Sequence, residues 1–130
     1  MRFLPTRVHG ALDYLMGALL IAAPWLFGFA GDADGAATWV PVALGAGVVL
    51  YSLLTDYELG VARKIPMPTH LLLDLGGGVL LAASPWLFGF ADVVWVPHLV
   101  FGLLEVGAAL VTERVPRDEH ASGRRTPGLA

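Results

Sequence analysis

His9-Gly-Ala-Leu-Asp13, followed by Pro24-Trp25-Leu26-Phe27-Gly28-Phe29, decides the reading of the chain, because both strings return. His70-Leu-Leu-Leu-Asp74 and Pro85-Trp86-Leu87-Phe88-Gly89-Phe90 stand at one common offset of 61 residues. Two unrelated apolar segments have no reason to share a histidine, an aspartate and a six-residue string in register, so the spacing predicts an internal repeat. Further out, Trp39-Val40-Pro41 answers Trp95-Val96-Pro97 at an offset of 56, and Thr55-Asp56 answers Thr112-Glu113 at 57; the difference is assigned to a longer first outer loop. Residues 1–60 therefore read as a first helical hairpin with its N-terminal segment, 61–115 as a second, and 116–130 as a polar, disordered tail.

The solvent for most of this chain is lipid. Its 130 residues are 56% hydrophobic and 15% charged, with a mean hydropathy of +0.68, far from the usual soluble balance. Tyr14 to Gly31, Gly35 to Thr55 and Leu75 to Ala91 carry no charge, and each approaches or exceeds the ~20 residues that cross a hydrocarbon core. A fourth run, Val93 to Thr112, is interrupted once, by Glu105. These runs lack the alternation of barrel strands, so they are expected as helices whose backbone groups bond within their own segment. The expected fold is an all-α integral membrane four-helix bundle of two parallel two-helix repeats. The first span is not read as a cleaved signal peptide, because Asp13 separates its basic residues from the apolar run and the whole segment recurs in the chain interior. All 8 basic residues, among them Arg2, Arg7, Arg63, Lys64 and Arg114, fall before the first span, between the second and third, or after the fourth. The positive-inside rule then places both termini in the cytoplasm, in a bacterial cytoplasmic membrane.

The chain resembles the SPW-repeat membrane proteins, named for a Ser-Pro-Trp motif in the first helix of a two-helix repeat. Ser84-Pro85-Trp86 matches that motif, whereas the first copy reads Ala23-Pro24-Trp25 and lacks the serine. The resemblance covers both repeats, from about Val8 to Thr112. It implies a small bacterial membrane protein and supplies no activity.

The remaining residues divide into punctuation and chemistry. Pro24 and Pro85 remove a backbone bond and bend their helices; Trp25 and Trp86 suit the membrane interface, and Phe-Gly-Phe allows a tight change of direction. A ligand groove lined by these aromatics is the alternative reading. Gly45 and Gly47, and Gly76, Gly77 and Gly78, are read as packing residues that let helices approach.

In each repeat the histidine and aspartate are four apart, on one helix face. With a helix starting near Thr6, Asp13 lies ~10 Å into it, a depth at which an acid is costly unless protonated, paired or wet. His9, Asp13, His70 and Asp74 therefore fasten the bundle, each acid bonding its own histidine or the Ser52, Thr55 or Thr112 hydroxyls, or they serve a proton, ion or ligand. Glu105 has no counterpart, since the aligned residue is Val48 or Val49; it shares a face with His98 and Gly102 near mid-membrane. It reads either as a neutral acid bonding across the bundle or as a proton relay.

The chain has no cysteine, nucleophile elbow, phosphate loop, zinc-spaced cluster or dinucleotide fingerprint, so no enzyme activity, cofactor or metal is expected. The two His-Asp pairs read as hydrogen-bonded partners and not as metal ligands. The expected function is a non-catalytic interaction or membrane-organising module. A proton- or ion-linked transporter or channel subunit is the alternative. The lipid bilayer is the expected partner, with a homo-oligomer or a membrane-protein neighbour and no nucleic acid.

Overall fold

Two prolines open the chain's main turns of structure. Pro5 and Pro66 sit in extended backbone, φ -61° with ψ 144° and 146°, and helices α1 (Thr6–Leu26) and α3 (Met67–Leu87) begin on the residues that follow. Each helix stops at the repeated Phe-Gly-Phe. Gly28 and Gly89 take φ of 75° and 76°, a left-handed conformation that costs glycine little. The Phe29 N–H then bonds back to the Pro24 carbonyl at 2.9 Å, and Phe90 to Pro85 at 2.7 Å, which is the Schellman closure of a helix end. The prolines thus lie in the last turn. Helices α2 (Ala36–Leu54) and α4 (Val96–Val111) complete the set. This computed structural model describes residues 1–32 and 35–116; Asp34 and nearly all of the expected tail, with Arg117, Arg124 and Arg125, lie outside the described residues.

Three helices, α1, α2 and α3, with 21, 19 and 21 residues, are long and apolar enough to cross a membrane. The fourth, of 16 residues, rises about 24 Å, short of a full ~30 Å core. Burial supports a lipid solvent independently. His9, Asp13, Ser52, Thr55, His70, Asp74, Ser84, His98, Glu105 and Thr112 are all buried, while Leu15, Leu50, Leu72, Leu103 and Leu104 stand more than half exposed. A soluble protein hides its leucines and solvates its acids; this one does the reverse.

Helix α1 packs chiefly on α2 and α3 chiefly on α4, forming two hairpins. Each is sealed by a glycine pair. A Cβ on Gly45 would stand 2.7 Å from the Gly17 carbonyl oxygen, and one on Gly102 would stand 2.5 Å from that of Gly78, so bare backbones touch at both crossings. Gly47, Gly76 and Gly77 have open space where a Cβ would be, so their expected packing role within the chain does not hold. Side chains face inward at Pro41, Gly45, Val48 and Ser52 on α2, and at His98, Gly102, Glu105 and Ala109 on α4, a constant shift of 57. Glu105 accordingly takes the place of Val48 and not of Val49.

The starts of α1 and α3 meet the ends of α2 and α4 at one end of the bundle. There Leu4 pairs with Thr112 and Ile65 with Thr55 in single parallel bridges. The bonds match one for one: Leu4 N–H to Val111 at 3.0 Å and Glu113 N–H to Leu4 at 2.9 Å, against Ile65 to Leu54 at 2.8 Å and Asp56 to Ile65 at 2.7 Å. The segment entering α1 thus lies against α4 as the segment entering α3 lies against α2. At the opposite end Ala23, Phe29, Ala37 and Phe90 form an apolar cluster.

Candidate functional site

The helix period carries His9 and Asp13 inward from α1, and His70 and Asp74 inward from α3, all within the first two turns. The shortest pairings run between helices. His9 Nε2 lies 2.7 Å from Asp74 Oδ2, and His70 Nε2 lies 2.7 Å from Asp13 Oδ2. The pairings within a helix, His9 to Asp13 and His70 to Asp74, are both 3.2 Å. The pairing of each histidine with its own aspartate, one of the expected alternatives, is present as the longer contact, and the tighter partner belongs to the other hairpin. The imidazoles meet edge to face with centroids 5.4 Å apart.

The other ring nitrogens fix the proton count. Thr112 Oγ1 donates to the Ala108 carbonyl at 2.6 Å, and Thr55 Oγ1 to that of Tyr51 at 2.6 Å, the four-residue back-bond available to a threonine at a helix end. A hydroxyl has one hydrogen, so each oxygen then accepts from the imidazole beside it: His9 Nδ1–H to Thr112 and His70 Nδ1–H to Thr55, both at 2.7 Å. With Nδ1 protonated, a neutral imidazole would turn a bare Nε2 lone pair on a carboxylate oxygen. Each 2.7 Å contact therefore holds a hydrogen, carried either by an imidazolium or by a carboxyl group. Either way the quartet is neutral overall. The threonines, one alternative for bonding the acids, bond the histidines.

Asp74 also accepts from the Tyr51 phenol, and Ser52 approaches Asp13 at 3.5 Å, the outer limit of a hydrogen bond. The two remaining candidates stand apart from the quartet's bonds. His98 is held between Phe29 and Phe90, with ring centroids 5.3 and 4.9 Å away, and donates from Nε2 to the Ala37 carbonyl at 3.0 Å, tying α4 to α2. Glu105 is 4% exposed, and its Oε2 has no hydrogen-bond partner among the described residues. It lines two lateral grooves. One, of about 310 Å³ between α1 and α4, reaches Asp13; the other, of about 260 Å³ between α2 and α3, reaches Asp74.

The punctuation residues divide by burial. Trp25 and Trp86 are 60% and 56% exposed, as an interfacial anchor requires, while Pro24 and Pro85 are buried. Ser84 donates to the Leu81 carbonyl of its own helix at 2.7 Å. Below the quartet, in the loop after α2, Tyr57 packs on His70; burial pushes its phenol above the ordinary range and keeps it neutral. Tyr51 was legible only as a residue of the second apolar run, where an aromatic hydroxyl at the depth of a buried acid was the available signal, and Tyr57, past the end of that run, was not singled out.

An apolar exterior, a polar interior and three helices of spanning length define an α-helical membrane protein. Its family follows from the sequence: the model of the SPW repeat domain matches residues 7–112, and the chain belongs to that family. No curated protein and no solved structure matches it.

Proposed function

We propose that the protein is a non-catalytic membrane-organising module, made of two copies of one hairpin that a buried proton-bearing quartet locks together. All four helices insert, both termini facing the cytoplasm of a bacterial cell, and the short α4 is accommodated beside longer neighbours. The observation that supports this reading is the closure of the quartet: the four ring nitrogens of His9 and His70 are bonded to Asp13, Asp74, Thr55 and Thr112 across the hairpin boundary, leaving neither of these two rings a free nitrogen for a substrate. The exposed leucines and tryptophans supply the lipid or protein contact surface. The test is site-specific crosslinking from Leu50 and Leu103 in native membranes. A discrete product, a homo-oligomer or one defined neighbour, is expected; lipid-only labelling at both positions would count against an organising role.

A second reading, a proton- or ion-linked transporter or channel subunit, is favoured by one observation, the unpartnered Glu105 between two grooves. The two readings part at Glu105→Gln. On the organising reading, thermal stability in detergent is unchanged or rises by about 1 kcal/mol, because an unpaired buried acid is removed, and proteoliposomes carry no Glu105-dependent flux. Proton flux in the wild type that disappears in a folded Glu105→Gln variant would replace the first reading with the second.

A further inference from the structure

We infer that the quartet is also a binding site for one divalent first-row transition metal ion of the zinc class, held by His9, Asp13, His70 and Asp74. The inference rests on the quartet being the fastener proposed above, and adds an occupant to it.

The four facing atoms form a closed ring: His9 Nε2, Asp74 Oδ2, His70 Nε2 and Asp13 Oδ2, with sides of 2.7, 3.2, 2.7 and 3.2 Å. All four lie within 4.8 Å of one another. In any four-cornered ring the squared diagonals sum to no more than the squared sides. The centre of this ring therefore lies, in root-mean-square terms, at most about 2.1 Å from its corners, so the corners stand no farther from it than zinc bonds to imidazole nitrogen and carboxylate oxygen reach. An ion at that centre has, on average, no donor to draw inward; the ring has only to open until each bond reaches its length.

Donor chemistry and charge agree. Two imidazoles and two carboxylates form a mixed nitrogen and oxygen set of the kind zinc and its neighbours accept. A metal-bound histidine ordinarily gives its second ring N–H to a fixed acceptor, which orients the ring and its lone pair. Thr112 and Thr55 do this for His9 and His70. Two ionised carboxylates in an apolar interior require two positive charges. The two hydrogens of the metal-free ring supply them, and so does one divalent ion, with both hydrogens released to water as it binds. A second feature points to a cation: the grooves that reach Asp13 and Asp74 share Glu105, an acid 4% exposed with an unpartnered oxygen.

The test uses the full chain purified in detergent, stripped with a chelator and titrated with Co²⁺ as a spectroscopic stand-in for zinc. The expected result is one Co²⁺ per chain with the visible absorption of a four-coordinate nitrogen and oxygen site, and a rise in the wild-type melting temperature. Asp74→Asn and His70→Gln should weaken uptake at least 100-fold. Thr55→Val and Thr112→Val keep all four ligands and should weaken it about 10- to 100-fold, so the inference stays testable if the ligand variants fail to fold. Folded wild type that takes up no Co²⁺ would overturn the inference and leave the fastening role standing. A spectrum that persists unchanged in folded Asp74→Asn and His70→Gln would overturn it too, as an adventitious ion. A quartet variant of unaltered stability would instead remove the fastening reading, whatever the metal result.

Discussion

The two hairpins agree at one end and diverge in the middle. At the end where α1 and α3 begin, His9 and His70, Asp13 and Asp74, and Thr55 and Thr112 occupy matched places with matched bonds. One turn further in, the returning helices differ: Tyr51-Ser52 on α2 corresponds to Ala108-Ala109 on α4, and Val48 corresponds to Glu105. The shared part is a mutual lock, in which each hairpin completes the other's polar groups, and neither half can change alone without leaving a buried group unpaired. The divergent part bears no such constraint. On the reading proposed above, that contrast puts fastening at the quartet and any specialised role at Glu105.

The contrast breaks most sharply at the lock. Asp74→Asn leaves one acceptor oxygen where His9 and Tyr51 each use one, so one of the two loses its partner and faces an amide N–H, and it should lower unfolding stability in detergent by about 3–5 kcal/mol, the range for one half of a buried charged pair. Asp13→Asn should cost less, since the hydroxyl that bonds it among the described residues, Ser52, is 3.5 Å away. Equal losses in chemical or thermal unfolding would show that the tyrosine adds nothing. Next come the two glycine crossings. Gly102→Ala drives a methyl against the Gly78 and Ala82 backbones and should lose about 1–3 kcal/mol, with Gly45→Ala close behind; Gly76→Ala, which meets open space, should be neutral by the same melting assay. Tyr51→Phe isolates the hairpin difference, and a loss of about 1.5–3 kcal/mol is expected for a hydrogen bond to an acid. The smallest effect belongs to Ser84→Ala, under about 1 kcal/mol, because the first hairpin already has Ala23 in that place and the hydroxyl serves only its own helix. A large loss there would mean that the motif serine contacts a partner.

Much of this fold was legible because lipid imposes few solutions: an apolar run must be a helix, and Pro-Trp-Leu-Phe-Gly-Phe contains its own stop signal. The candidate acids were legible because their depth was. Their pairing was not. A spacing of four reports which residues share a face but not which face lies opposite, so His9 and Asp13 read as partners although each bonds more tightly across to α3. The signal lay in the repeat itself, since equal depth on two helices lets like pairs meet. Gly47, Gly76 and Gly77 misled for a related reason: composition identifies small residues, but only the crossing point decides which of them touch. Glu105 was placed to within one residue, the ambiguity arising because α2 and α4 keep the shift of 57 along their inward faces while their outer tryptophans are 56 apart.

The matched bridges at Leu4 and Ile65 carry a consequence for how the chain is threaded. Backbone bonds at the gap between the first and last helices repeat those at the link between the second and third, so the bundle has two equivalent seams and only one is covalently joined. Opened in the loop between Leu59 and Arg63 and sewn from residue 115 to residue 2, the sequence would run through the same contacts in rotated order. The fold is in this sense a closed loop of two hairpins.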